Sequence, residues 1–178
     1  MKNDSSLISN RLLNQKLNDL YERGNRQNIT ELSRLTLLEI SGLSIEYRKL
    51  VFSSAPYRQS IPWTLIQKSR LIESFLLNIP VVPVILCELN GKADEIVDGE
   101  QRILSIVDFF ANNFQLEGME SWVGLNGMTY QTLPGKIRDS LNRKYLHITT
   151  ILLNPDAEFD PEVIKQTTYE RLNDWRIN

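Results

Sequence analysis

Two carboxylates, an amide and a guanidinium stand together in the run Asp98-Gly99-Glu100-Gln101-Arg102. The run follows a strand-like segment and precedes an apolar pattern of helical spacing, so it is expected at a helix N-terminus. A glycine turn that opens a helix presents backbone N–H groups without intrahelical partners, and such groups favour phosphate or another anion. The run also carries more polar chemistry than a helix start requires. We therefore place the candidate site of the chain here.

The side chains of this turn fit an anion site. Arg102 and the helix-start N–H groups are expected to hold a phosphate, because a guanidinium matches phosphate oxygens bidentately. Asp98 or Glu100 is expected to hold Mg²⁺ or to position a water, since hard cations prefer carboxylate oxygens. The run lacks the lysine and hydroxyl of a phosphate-binding loop, which excludes a P-loop NTPase.

A structural alternative for the same turn stays open. Asp98 as the N-cap and Gln101 three residues later have the spacing of a capping box. Gly99 then supplies a permitted backbone conformation, and Arg102 is a solvated surface charge. The residues alone do not decide between this interpretation and an anion site.

Composition narrows the classes of protein and of site. With 178 residues, 42% of them hydrophobic and 24% charged, the chain is expected to form one soluble domain. A single cysteine, Cys87, excludes an internal disulfide and any multi-cysteine metal site, and its apolar neighbours predict a buried thiol. A single histidine, His147, excludes an HNH nuclease and a histidine-rich zinc site. Direct DNA cleavage by this chain is therefore not expected.

Charge and targeting signals bear on DNA contact and on cellular location. The net charge of −2 gives no overall attraction to nucleic acid, so DNA must be engaged through a local basic patch. The best candidate for that patch is the group Lys136, Arg138, Arg143 and Lys144, with a solvated helix face as the alternative. No signal-peptide core and no apolar run of membrane-spanning length are present, which predicts a cytoplasmic protein without a membrane partner.

Helices and strands alternate along the chain, with hairpins, and this favours an α+β fold. A helix from Leu7 to Glu22 suggests an N-terminal arm over residues 1–28, either docking on a partner or folding onto a domain of residues 29–178. A capping box at Thr64 and the turn Asn90-Gly91 frame the approach to the candidate site. The pattern predicts helices over 7–22, 64–79, 100–112, 132–144 and 160–172, and strands over 35–40, 43–47, 84–89, 95–97 and 145–153.

Several segments, taken in order, resemble a known family. The segments are Trp63 to Pro83, Ile96 to Arg102, Leu125-Asn126-Gly127, Leu133-Pro134 and Tyr169 to Asn173. In this combination the chain resembles the N-terminal domain of GmrSD-type modification-dependent restriction enzymes, within the wider ParB/sulfiredoxin-like group. The resemblance spans about residues 57 to 173.

The resemblance implies a ParB-like single domain, a small mixed sheet flanked by helices, that binds and hydrolyses a nucleoside triphosphate. In the family this activity licenses DNA cleavage by a nuclease domain in defence against phage with modified DNA. We therefore expect an NTP with Mg²⁺ as the ligand, and a nuclease-bearing protein and DNA as partners. Whether this chain hydrolyses the nucleotide is left open by the sequence.

Site residues are carried over position by position. The family motif falls on Asp98, Glu100 and Arg102 as catalytic residues. The nucleotide-binding residues that the resemblance adds are Gly99, Gln101, Arg58, Gln59, Lys68, Arg171 and Asn173. No metal ligand is assigned.

Departures from the family pattern support a second hypothesis. Glu100 stands where the restriction-enzyme motif usually has glutamine, and Arg58-Gln59 is a transposed form of the family's glutamine–arginine pair. From the end of the sequence at Asn178 we expect a stand-alone or shortened module without its own nuclease domain. The alternative is a catalytically silent interaction or DNA-sensing subunit of the same fold.

Overall fold

Six α-helices and four strands make up the part of the chain that the computed structural model describes, which is residues 3–25, 28–42, 61–89, 95–154 and 160–174. The helices are α1 Asn3–Asn25, α2 Leu37–Gly42, α3 Leu65–Leu77, α4 Glu100–Phe110, α5 Gly135–Asn142 and α6 Pro161–Asp174. The strands are β1 Asn28–Thr36, β2 Val84–Leu89, β3 Glu95–Asp98 and β4 Tyr145–Leu153. A 3₁₀ turn, Val123–Leu125, lies between α4 and α5. The fold is α+β, as the sequence predicts.

The four strands form one mixed sheet in the order β1-β4-β2-β3. β4 pairs antiparallel with β1 and parallel with β2, while β3 returns antiparallel along β2. The register pairs Thr36 with Tyr145, Val84 with Ile148, and Ile85 with Asp98. The end of β3 and the beginnings of β2 and β4 therefore lie at the same end of the sheet.

A hydrophobic core lies on each face of this sheet. The larger core lies on one face and includes Leu86 and Ile96 from the sheet together with residues of α2, α3, α4 and α5. The smaller core lies on the other face and joins Cys87 and Val97 to residues of α6. The two sets alternate along β2, β3 and β4, as side chains of a pleated strand must. The expected burial of Cys87 is confirmed.

Two buried charged side chains stabilise contacts between elements: Glu73 binds a loop, and Lys165 binds the edge of the sheet. Glu73 on α3 is 6% exposed and accepts N–H bonds from Glu120 (3.2 Å), Ser121 (2.8 Å) and Trp122 (3.0 Å). Burial raises the pKa of Glu73, but these three donors outweigh burial, so its pKa lies below the ordinary value.

On the other face, Lys165 of α6 pairs with Glu95 of β3 and with Glu162 of its own helix. Burial lowers the pKa of Lys165, yet the hydrogen bonds and charges of both carboxylates raise it above the ordinary value. This pair ties α6 to the edge of the sheet.

The first part of the chain departs from the predicted pattern. A strand over 35–40 is wrong, because β1 ends at Thr36 and α2 begins at Leu37. Thr36 and Glu39 form a reciprocal cap: the Thr36 N–H donates to Glu39 Oε2 at 2.7 Å, and the Glu39 N–H donates to Thr36 Oγ1 at 3.2 Å. Leu37 and Ile40 then bury one helical face. The predicted strand over 43–47 lies outside the described residues.

The helix α1 is confirmed and is longer than predicted, but its apolar side chains from Leu12 to Tyr21 are each more than half exposed. The division at residue 28 stays a prediction. None of the described helices combines the length and apolarity needed to cross a membrane.

From Thr64 onward the predicted elements are mostly confirmed. Thr64 and Gln67 form the expected capping box, and α3 ends at Asn78 in the left-handed conformation. Ile66 on α3 is 41% exposed. α5 begins at Gly135 with Pro134 as its N-cap, because the Thr132 hydroxyl accepts the Thr129 N–H instead of capping the helix. The Asn90-Gly91 turn lies outside the described residues.

Candidate functional site

The turn from β3 into α4 is built around Gly99. Asp98 is the last residue of β3, Glu100 is the first of α4, and Gly99 between them is the helix N-cap with φ of +106°. The alternative in which Asp98 caps the helix is wrong, because α4 begins one residue later than that cap requires. Gln101 does not complete a capping box either: its Oε1 accepts the Trp63 N–H at 3.0 Å and so ties the turn to the entry of α3.

Gly99 is held in close contact with two neighbours. A Cβ at this position would lie 2.7 Å from Val84 Cγ2 and 2.8 Å from Arg102 Nη2. The φ of Gly99 is also positive, and a residue with a side chain adopts such a conformation only with strain. The guanidinium of Arg102 therefore lies directly against the backbone of the turn, and only glycine permits this approach.

Arg102 is a buried cation, not a surface charge, which corrects the other part of the structural alternative. The residue is 6% exposed, and its Nη2 donates to Asp98 Oδ2 at 2.6 Å and to the Pro83 carbonyl at 3.2 Å. Among the described residues, its Nε–H has no hydrogen-bond partner. A buried polar atom left unsatisfied is rare in folded proteins and calls for a water, an ion or a ligand. The Nε–H of Arg102 is thus a buried donor at this turn without a partner among the described residues.

The carboxylates of the turn differ in their surroundings. Asp98 is 9% exposed and faces Arg102, whereas Glu100 is half-buried at the start of α4. Within the described ranges, no group of three or more His, Cys, Asp or Glu side chains is placed to hold a metal ion. The donor set still suits Mg²⁺ delivered with a nucleotide, because this ion commonly takes one or two protein carboxylates and completes its shell with phosphates and water.

The five motif residues lie together at one turn, whereas the other described residues predicted to bind nucleotide lie elsewhere in the fold. Lys68 on α3 pairs with Asp108 at 2.9 Å, and its Nζ lies 5.6 Å from the centre of the Phe114 ring. Asp108 follows Arg102 by six residues on α4, which is about 9 Å along the helix axis. The charge of Lys68 is therefore already balanced at the contact between the two helices.

The remaining predicted residues lie elsewhere or outside the description. Arg171 is exposed on α6, and the Asn173 side chain donates to the Tyr169 carbonyl at 2.7 Å on the same helix. Because α6 packs on the face of the sheet opposite to α4, these two residues belong to the other layer. Arg58 and Gln59 lie outside the described residues. Their assignment to a nucleotide site stays a prediction.

The proposed basic patch divides in two. Arg138 on α5 donates to the Gln131 carbonyl at 3.2 Å, and Lys136 is exposed on the same helix. Arg143 and Lys144 instead line a cavity at the beginning of β4. Sequence reasoning missed Trp63, Pro83 and Val84 as neighbours of the turn, because they act through a backbone group or a packing contact that no motif marks.

Comparison with known proteins agrees with the resemblance in the motifs. The model of the GmrSD restriction endonuclease N-terminal domain matches residues 44–176, which include the whole site described above. No curated protein and no solved structure matches the chain. The family links the chain to restriction systems. The chain belongs to the family of GmrSD restriction endonuclease N-terminal domains.

Proposed function

We propose that this chain is a nucleotide-binding and NTP-hydrolysing regulatory module of a DNA-targeting restriction system, working with a nuclease-bearing partner against phage DNA. One observation carries the proposal. A buried arginine lies against a glycine at a strand-to-helix turn, with one N–H of its guanidinium unpaired among the described residues. Membership of a restriction-endonuclease family supports the same assignment.

Each residue of the turn is assigned a separate role in this proposal. Arg102 and the N-terminus of α4 attract the phosphates, because a buried guanidinium and a helix dipole both favour negative charge. Asp98 orients the guanidinium through their 2.6 Å contact. Glu100, at the mouth of the turn, is the carboxylate best placed to meet Mg²⁺ or a hydrolytic water. When bound, Mg²⁺ supplies neutralisation of the phosphate charge that would otherwise repel both carboxylates.

A second candidate, a catalytically silent subunit of the same fold, is favoured by a specific contact. Nη2 of Arg102 already donates to both Asp98 and Pro83, and these bonds join β3, α4 and the loop before β2. In that role the pair is a structural tie and the module acts through its surfaces. The two candidates differ in whether the unpaired Nε–H meets a phosphate.

Calorimetric titration separates them. The full chain is titrated with non-hydrolysable ATP and GTP analogues in the presence of Mg²⁺, alongside Arg102→Gln. The control is Lys165→Met, which breaks a buried ion pair on the opposite face of the sheet. We expect the wild type and Lys165→Met to bind alike and Arg102→Gln to bind about 10–100 times more weakly, since hydrogen bonds to charged groups contribute about 1.5–3 kcal/mol.

Two results decide against nucleotide binding at this turn. Equal affinity of Arg102→Gln and the wild type, with both proteins folded by circular dichroism, removes Arg102 from the site. Absence of binding by the wild type supports the silent subunit. For hydrolysis, phosphate release with Mg²⁺ and several NTPs is compared between the wild type and Asp98→Asn. Turnover that disappears in Asp98→Asn excludes the silent candidate.

A further inference from the structure

A cavity of about 340 Å³ opens at the end of the sheet where β4 begins. Its lining includes the apolar residues Phe75, Ile79 and Val81 and the basic residues Arg143, Lys144 and His147. Within the part of the chain that the structure describes, no acidic residue lines it. The basic residues of this lining favour an anionic ligand.

Strand β1 places a further cation, Arg34, against Tyr145, which lines the cavity. Arg34 stands opposite His147 in the register of β1 and β4, and its guanidinium carbon lies 4.5 Å from the centre of the Tyr145 ring. Tyr145 and His147 are both exposed, while Leu146 between them is buried in the larger core. Alternation along β4 therefore presents an aromatic ring and a histidine to the outside, next to three cationic residues.

No carboxylate of the described residues forms an ion pair with these cations, Arg34, Arg143 and Lys144. Lys144 Nζ donates to the neutral amide oxygen of Asn78. Three cations without a carboxylate partner among the described residues form a local concentration of positive charge on a chain whose net charge is −2.

The cavity lies at the same sheet end as the Asp98–Arg102 turn. Asp98 pairs with Ile85 at the start of β2, and β2 runs beside β4. Neighbouring strands are about 4.8 Å apart, so the two places are separated by about 10 Å across the sheet. The loop from Ile79 to Pro83 connects them directly, since Ile79 lines the cavity and the Pro83 carbonyl accepts from Arg102.

We propose that Arg34, Arg143, Lys144 and His147 form a DNA-backbone site, with duplex DNA as the occupant and its phosphates meeting the cations around the cavity. The proposal deepens the proposed function, on which it rests for the choice of DNA, by naming the surface that holds the DNA. The negative charge of the phosphates and the positive charge of Arg34, Arg143 and Lys144 supply the attraction. Of the basic patch predicted from the sequence, this site keeps Arg143 and Lys144, because Lys136 and Arg138 do not line the cavity.

Fluorescence anisotropy with a labelled 20-base-pair DNA duplex tests this site. The test variant is Arg143→Gln/Lys144→Gln, and the control is Lys136→Gln/Arg138→Gln, which removes the same charge from the adjoining helix. Each phosphate contact contributes about −0.9 to the slope of log affinity against log salt. We expect a wild-type slope of about −3 and a slope near −1 in the test variant. We also expect at least a tenfold loss of affinity at about 50 mM salt in the test variant, with the control unchanged within threefold.

Three outcomes overturn the proposal. Equal losses in the test and control variants show a dependence on overall charge and not on this cavity. Equal or tighter binding of an RNA duplex of the same sequence rejects DNA as the occupant. Absence of binding by the wild type at about 50 mM salt rejects the site altogether.

Nucleotide titration of Arg143→Gln/Lys144→Gln keeps the two proposals separable. Nucleotide affinity equal to the wild type is expected, because neither residue belongs to the Asp98–Arg102 turn. Failure of DNA binding with nucleotide binding intact therefore overturns only the DNA site, and the converse result overturns only the nucleotide site.

Discussion

Replacing Gly99 by alanine gives the sharpest structural prediction. The new methyl group would lie 2.7 Å from Val84 Cγ2, 3.1 Å from Val84 Cα and 2.8 Å from Arg102 Nη2. Arg102 cannot move away without disturbing its 2.6 Å contact with Asp98, and the Val84 backbone is fixed in a central strand. The substitution therefore strains the sheet, the turn and the buried ion pair together.

The size of the effect follows from two contributions. A residue with a side chain held at φ of +106° costs about 1–3 kcal/mol in backbone strain. Overpacking against fixed neighbours costs about another 1–3 kcal/mol. We expect Gly99→Ala to lower the free energy of unfolding by about 2–6 kcal/mol.

Urea unfolding followed by circular dichroism measures this loss, with two glycine controls. Gly127 also has a positive φ, +81°, but a methyl group added there would meet nothing within 4 Å, so Gly127→Ala isolates the backbone contribution. Gly135 has neither a positive φ nor a close neighbour, and Gly135→Ala should change stability by less than about 0.5 kcal/mol. A loss in Gly99→Ala no larger than that in Gly127→Ala would refute the close approach of Arg102 and Val84.

Three other predictions concern the supports of the site. Glu73→Gln should lower the free energy of unfolding by about 2–4 kcal/mol in urea titrations, because one amide oxygen replaces a carboxylate that accepts three N–H bonds. The folded pKa of Glu73 is lowered, so this difference should be full above pH 4.5 and shrink as the pH falls through the folded pKa. Lys165→Met should cost about 1–3 kcal/mol by the same assay. The pKa of Lys165 is raised, so the wild-type advantage should persist below pH 10.5 and disappear as the pH rises through the folded pKa. Thr64→Ala should lower the thermal midpoint through a loss of about 0.5–2 kcal/mol, since the Thr64 hydroxyl caps α3. An unchanged midpoint would contradict that role.

Local signals predicted much of the fold. The capping box at Thr64, the strand of β4 and the start of α6 near Asp160 each depend on neighbours within a few residues. The same kind of signal was present at Thr36 and Glu39, where a reciprocal cap converts a strand-like run into a short helix. The apolar alternation around Leu37 obscured that cap. The strand over residues 28–36 escaped prediction because its stability comes from pairing with β4, more than a hundred residues later.

The candidate site was predictable in its position but not in its contacts. The motif placed Asp98 to Arg102 at a strand-to-helix turn, and the structure has them there. The burial of Arg102 could not be predicted, because it depends on the Pro83 carbonyl and on Val84 from a strand that pairs only in the folded chain. Arg34 likewise reaches Tyr145 only through strand register.

A structure of the full chain with a non-hydrolysable nucleoside triphosphate and Mg²⁺ tests the central proposal most directly. We predict a phosphate within hydrogen-bonding distance of Arg102 Nε, with the remaining phosphates at the N-terminus of α4 and the cation next to Glu100. Phosphate density at any other part of the molecule, with the Asp98–Arg102 pair unchanged and its Nε–H facing no ligand, would contradict the assignment of this turn as the nucleotide site.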